Sequence, residues 1–250
     1  GRAAWFLAGR IGNGRALMST LLPVGPVEAV IAAMVFALVV ALALGRLTRR
    51  VQQSLPQLDG HPACPTVRAV SRARPIAVHG VPVLAMAFGA ASVWGFGASL
   101  TAIAAIVFIV ALLVLARIDA ETGFLPDVLT LPLLWAGLLV NLDGLLAPLA
   151  DAVLGAVAGY LTLWVVYQAF LSLTGKEGLG YGDFKLLAAV GAWMGWAALP
   201  WVLLLSSSLA LLAALFMRAT GRMAPGDALS FGPWLAAAGI LVLFVQFGAV

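Results

Sequence analysis

Two short clusters in the 250-residue chain combine carboxylates with glycine or proline between apolar stretches. The first is Arg117–Asp127, which contains Asp119, and the second is Gly178–Leu187, which contains Asp183. Two aspartates that share a proton can hydrolyse an amide, because the ionised one takes a proton from water while the protonated one polarises the carbonyl. Neighbouring carboxylates cannot both stay ionised, so their pKa values separate. Asp119 and Asp183 are therefore the candidate catalytic pair.

Each carboxylate also has a possible structural explanation. Asp183 directly precedes an apolar stretch and could be a helix N-cap, and Asp127 could cap the next helix. Asp119 has the weakest structural explanation, because it follows a predicted helix C-terminus, where the helix dipole disfavours an anion. Gly180 and Gly182 form either a loose loop or a place where a substrate backbone can approach Asp183 closely.

Other hydrolytic chemistries find little support in the sequence. The chain has one cysteine, Cys64, and two histidines, His61 and His79, which are too few for a four-coordinate zinc site. The serine run 206–208 has no nearby base in the sequence. We therefore expect no metal site and no cofactor for hydrolysis.

Composition places these clusters in a membrane protein. Apolar residues make up 63% and charged residues 10% of the chain, where a soluble protein has about 25% charged residues. Uncharged runs long enough to cross a bilayer, divided at Gly95, Gly97, Gly195 and Pro200, predict an all-α, polytopic membrane helix bundle. Its eight predicted helices are 27–46, 78–94, 98–117, 128–146, 150–172, 184–198, 200–217 and 231–249.

The basic residues predict the orientation of this bundle. Eleven of the 14 fall on one side of an eight-helix arrangement, and positive charge marks the cytoplasmic side. Both acidic clusters lie on that side. The net charge of +4 then reflects cytoplasmic loops, and no nucleic acid partner is expected. The predicted organisation is an N-terminal, possibly interfacial segment 1–26, a first transmembrane helix 27–46, a cytoplasmic loop region 47–77 and a membrane-embedded peptidase domain 78–250.

Together the two clusters resemble those of the type IV prepilin peptidases. The resemblance rests on Ile118–Asp119, on Leu125-Pro126-Asp127 with the apolar run after it, and on Gly180-Tyr181-Gly182-Asp183 followed by Lys185. It covers about residues 75–250. It implies Asp119 and Asp183 as the catalytic pair, with supporting roles for Asp127 and the glycines.

The resemblance also implies a substrate and a location. Such enzymes sit in the bacterial inner membrane and face the cytoplasm, where they cut prepilins or pseudopilins after a glycine. Many members carry two CxxC pairs that bind zinc, but this chain keeps only Cys64, so zinc is not expected. S-adenosylmethionine would be a cofactor only if the family's second activity, methylation of the new N-terminus, is retained.

Three further alternatives remain open at the level of sequence. A presenilin-type intramembrane aspartyl protease shares the GxGD pattern, although its partner aspartate stands in a different local sequence. A proton or cation transporter could use the same carboxylates, although it would favour mid-membrane positions. Lys185 either lies near Asp183 and keeps that carboxylate ionised, or extends to the lipid headgroups.

Overall fold

A computed structural model describes residues 25–54, 80–175, 179–222 and 229–247. All regular structure in these ranges is helical, as predicted. The N-terminal segment up to residue 24 and residues 55–79, which include His61, Cys64 and His79, lie outside the described residues. The helices are α1 (Pro26–Ser54), α2 (Val81–Phe96), α3 (Leu100–Thr122), α4 (Asp127–Val140), α5 (Leu149–Thr174), α6 (Tyr181–Met194), a 3₁₀ turn (Trp196–Ala198), α7 (Leu199–Ala219) and α8 (Gly232–Phe247).

The lengths and hydropathy of these helices fit a polytopic membrane protein. Four segments are long and apolar enough to cross a membrane: Pro26–Thr48, Leu100–Thr122, Leu149–Thr174 and Trp196–Ala219. Helices α2, α4 and α8 are apolar but shorter. Helix α6 has 14 residues, about 21 Å at 1.5 Å per residue, which is less than the roughly 30 Å of a hydrocarbon core.

Several predicted boundaries differ from the structure, among them the end of α4, which lies at Val140 rather than at residue 146. Helix α1 continues to Ser54 rather than ending at residue 46, because arginine and glutamine are good helix formers and a helix need not stop where the apolar run stops. Helix α3 likewise continues past its apolar run to Thr122, through Ala120 and Glu121, which also favour helix. Helix α6 begins at Tyr181 and ends at Met194, where Gly195, with φ +80°, adopts a backbone conformation that favours glycine.

Contacts divide the chain into two compact units. The first contains the described residues up to Arg117 together with those from Leu243 onwards. Within it, α1 packs against α2 through small residues. A Cβ added to Gly89 would lie 2.9 Å from the carbonyl oxygen of Ala33 and 3.0 Å from the Cβ of Ala37, so glycine permits this close approach of two backbones.

The second unit, Ile118–Val242, contains both acidic clusters and is built around α6. Helices α4 and α5 pack against α6, which is buried along most of its length. Small residues again allow the approach, since a Cβ on Gly159 would lie 2.7 Å from the carbonyl oxygen of Leu187. The Gly155 and Gly191 backbones are packed equally closely. This packing fixes the position of α6 relative to α4 and α5.

Asn141 secures the end of α6 that is remote from Asp183. Its side chain is fully buried, and its amide nitrogen donates to the carbonyl oxygens of Ala192 and Trp193 at 2.9 Å each. Its amide oxygen accepts from the backbone N–H groups of Leu146 and Ala147 at 2.9 Å each. One side chain thereby satisfies four buried backbone groups and ties the end of α4 to the end of α6.

Candidate active site

Asp119 lies inside the last turn of α3, where it is only 5% exposed. The prediction that it follows the helix C-terminus was wrong, because the helix continues to Thr122. The end comes at Gly123, whose N–H donates to the Asp119 carbonyl oxygen at 2.8 Å and whose φ is +65°. A side chain at Gly123 would be strained there. The glycine therefore ends α3 one turn beyond the carboxylate.

The Asp119 carboxylate receives two donors from the residues that begin α8. The Ser230 hydroxyl donates to Asp119 Oδ2, and the Gly232 backbone N–H donates to the same oxygen at 2.9 Å. Neither residue was predicted from the sequence. The available signal was a hydroxyl and a glycine immediately before the last apolar helix, but nothing in the sequence says which carboxylate they meet.

Asp183 is the third residue of α6 and is 7% exposed. The suggestion that it is an N-cap was wrong, because the cap position is occupied by Gly180 and no side chain caps the helix. Its Oδ1 atom is buried and has no hydrogen-bond partner among the described residues. A buried carboxyl oxygen without a partner is costly, so this atom is available to a water or a substrate group.

Asp119 and Asp183 are electrostatically coupled. Burial, and after it the nearby charge of Asp119, raise the pKa of Asp183 to about 7, while a backbone hydrogen bond from Gly180 acts in the opposite direction. A carboxyl group with such a pKa is substantially protonated near neutrality. The structure therefore brings the two predicted carboxylates into one site, and Asp183 is able to carry the shared proton.

Gly182 is packed against the loop between α3 and α4. A Cβ at this position would lie 2.7 Å from the Cβ of Leu125, which is itself buried. Gly180 has extended backbone, φ −81° and ψ 141°, which other residues also adopt. The space requirement at Gly182 thus comes from a neighbouring side chain, and backbone strain plays no part at either glycine.

Asp127 and Lys185 form an ion pair. Asp127 follows Asp119 in the first acidic cluster, and Lys185 follows Asp183 in the second. Lys185 Nζ lies 2.6 and 2.7 Å from the two carboxylate oxygens of Asp127, and both side chains are partly exposed. Asp127 does not cap α4, because Pro126 occupies the cap position and no side chain caps that helix. The pair links the first turn of α4 to the first turn of α6, so the ammonium of Lys185 is bound to Asp127.

Four aromatic rings hold the first turn of α6 against α5. Phe184 lies edge-on to Tyr160 and Tyr167, with ring centroids 5.9 and 5.7 Å apart. Tyr181 packs on Tyr167 and on Phe184 at 5.2 and 5.4 Å. Rings at these separations attract one another beyond simple burial. Tyr181 and Phe184 flank Asp183 in the sequence, so these contacts restrict movement of its helix turn.

Metal and cofactor ligands are sparse in the part of the chain that is described. No group of three or more histidine, cysteine or acidic side chains could hold a metal ion there. A surface cavity along α5 is lined by Trp164, Val165, Gln168, Ala169, Leu171 and Ser172. This cavity has no carboxylate for ribose hydroxyls, so the residues that line it do not fit S-adenosylmethionine.

Part of the chain that carries these residues matches a known protein family. Residues 106–216 match the type IV leader peptidase family, Peptidase_A24. This part of the chain is similar to that family. The matched residues of the peptidase domain include Asp119, Asp127 and Asp183, whereas Ser230 and Gly232 lie beyond them.

Curated relatives of the peptidase domain share one description, prepilin leader peptidase/N-methyltransferase. The protein from Dickeya chrysanthemi is 55% identical over 132 residues, 53% of this chain and 47% of the relative. The protein from Burkholderia pseudomallei (strain 1026b) is 51% identical over 166 residues, 65% and 54% of the two chains. The protein from Klebsiella pneumoniae is 69% identical over 96 residues, 38% and 42% of the two chains.

The chain spans about half the length of the curated relatives it matches. No solved structure matches it.

Proposed function

We propose that the protein is a membrane aspartyl endopeptidase that cleaves the leader of type IV prepilins or pseudopilins after a glycine. The observation that carries this proposal is the coupled pair of buried carboxylates, Asp119 and Asp183, in one compact unit. The match of residues 106–216 to the type IV leader peptidase family supports the substrate class. The relatives, which are described as prepilin leader peptidase/N-methyltransferase, support it further.

In the proposed reaction Asp119 is the base and Asp183 is the acid. Asp119, which accepts two hydrogen bonds, takes a proton from water as the water oxygen bonds to the carbonyl carbon. Asp183, with its unpartnered Oδ1, donates its proton to the carbonyl oxygen and so stabilises the developing charge. When the diol collapses and the C–N bond breaks, Asp119 gives its proton to the leaving amine and Asp183 takes a proton back from a diol hydroxyl. No metal or covalent intermediate is needed.

The active site is proposed to face the cytoplasm of a bacterial inner membrane. Support comes from the Lys and Arg residues, which follow the positive-inside rule in an eight-helix arrangement. Single cysteines placed in the loop after α7, at Arg222, should resist an impermeant thiol reagent added to intact cells, in a Cys64→Ser background. A cysteine at Asp143 in the loop after α4 should react. The reverse pattern would overturn the orientation.

Incubation with a pilin precursor tests the function directly. The purified protein in liposomes should produce a shortened pilin whose new N-terminus follows a glycine, as read by mass spectrometry. Cleavage should continue with a strong chelator. The same spectrum tests methylation separately. A methylated product would be heavier by about 14 Da, and only when S-adenosylmethionine is supplied. A transporter using these carboxylates would instead pass protons across the liposome without cutting the precursor.

Cleavage should fall as the pH rises through about 7. Burial and the charge of Asp119 raise the pKa of Asp183 to about 7, so the acid is protonated below that pH and loses its proton above it. The kcat–pH profile should therefore have an alkaline limb near pH 7, with about a tenfold loss per further pH unit. Circular dichroism across the same range controls for unfolding. A rate that stays constant from pH 6 to 9 would contradict the assignment of Asp183 as the acid.

A further inference from the structure

The residues that begin α8 surround one oxygen of a catalytic carboxylate. The Ser230 hydroxyl and the Gly232 N–H both donate to Asp119 Oδ2. The Ser230 hydroxyl also lies 3.1 Å from the Asp119 carbonyl oxygen. We propose that Ser230 and Gly232 are positioning residues for Asp119, an inference that rests on the proposed peptidase function.

The two donors act on one oxygen and leave the other open. A backbone N–H can only donate, so the oxygen that meets Gly232 must be an acceptor. Among the described residues Asp119 Oδ1 takes part in no hydrogen bond. With Oδ2 held by two donors, Oδ1 is the oxygen that can accept the proton of the attacking water, and rotation of the carboxylate is restricted.

Glycine is required at position 232 for this contact. A Cβ there would lie 2.5 Å from Asp119 Oδ2 and 2.9 Å from the carboxyl carbon, closer than atoms without a hydrogen bond can approach. Any larger residue would therefore displace either the carboxylate or the start of α8. The absence of a side chain is what allows the backbone N–H to reach the carboxylate.

The charges around Asp119 make its donors important. Asp183 faces it from α6 and raises the cost of a second ionised carboxylate in the site, and Lys185 on α6 is bound to Asp127. Arg117 and Glu121 are the charged neighbours on its own helix. The hydroxyl and the amide stabilise the ionised form of the base, because hydrogen bonds to a charged acceptor are stronger than neutral ones.

A pair of isosteric variants isolates the hydroxyl. Ser230→Thr keeps it and Ser230→Val replaces it with a methyl group of similar size. In the pilin cleavage assay, kcat of Ser230→Val should fall by about 10- to 100-fold relative to Ser230→Thr, with KM unchanged because the Ser230 hydroxyl is bonded to Asp119. The acidic limb of its kcat–pH profile should move to higher pH, since the ionised base has lost a donor.

Glycine and serine controls complete the design. Gly232→Ala should reduce kcat at least as much as Ser230→Val, whereas Gly80→Ala, where an added Cβ meets nothing within 4 Å, should not. Ser208→Ala, whose hydroxyl bonds only its own helix at Leu204, should also match wild type. If the added methyl group of Ser230→Thr does not fit, Ser230→Ala compared with the wild type tests the loss of the hydroxyl instead.

The outcomes separate this inference from the function on which it rests. If the wild-type protein cleaves and Ser230→Val matches Ser230→Thr in kcat and in its acidic limb, the positioning role is wrong. A loss of thermal stability in Ser230→Val without any movement of the limb would likewise overturn it, because it would indicate a purely structural serine. If the wild-type protein does not cleave, the proposed function fails whatever the variants do.

Discussion

Asp119→Asn or Asp183→Asn should lower the cleavage rate by about 10²- to 10⁴-fold, the contribution of a positioned acid or base. Asparagine keeps the shape of the side chain but can neither accept nor release the proton that the reaction needs. Since the two carboxylates act as one unit, the double variant should be little worse than either single variant. The measurement is single-turnover cleavage of a pilin precursor in liposomes.

Two other aspartates provide matched controls. Asp127→Asn removes only the partly exposed ion pair with Lys185, and exposed pairs contribute about 0–1 kcal/mol, so its effect should be much smaller. Asp143→Asn changes an exposed side chain in the loop after α4 and should cleave as wild type does. Membrane insertion should be the same in all variants. Near wild-type turnover in Asp119→Asn would refute the catalytic pair.

Asn141→Ala should produce the largest loss of stability. The change leaves two buried backbone donors and two buried acceptors without their partner. Each unsatisfied buried group costs about 1–3 kcal/mol, so the total is on the order of 4 kcal/mol or more. At roughly 2–4 °C per kcal/mol, the midpoint of thermal unfolding in detergent should fall by about 10 °C.

Thr162→Ala is the control for Asn141. The Thr162 hydroxyl is exposed and bonds only the Ala158 carbonyl oxygen of its own helix, so its loss should leave the unfolding midpoint nearly unchanged. Asn141 lies at the opposite end of α4 from Asp127. The fraction of Asn141→Ala that folds should therefore retain its pH–rate profile. An unfolding midpoint equal to that of wild type would contradict the role of Asn141.

The sequence by itself determined the helical membrane architecture, because hydropathy is a local property. An apolar run and the glycine that ends it, such as Gly97 with φ 68°, are visible without knowledge of any distant residue. The sequence also singled out Asp119 and Asp183, since carboxylates among apolar residues are conspicuous. Helix ends beyond the apolar runs were missed because α1 and α3 continue into polar residues that also form helix.

The tertiary structure alone decided what each of these side chains meets. Ser230 is 111 positions from Asp119 and Asn141 is 51 positions from Ala192, and no periodicity in the sequence connects such pairs. From the sequence, Lys185 could either lie near Asp183 or extend to the lipid headgroups. In the folded protein its ammonium is bound to Asp127. The physical reason is that packing of α4 and α5 around α6 sets which helix ends come together. Propensity and hydropathy act within a segment, whereas hydrogen-bond partners depend on how segments pack.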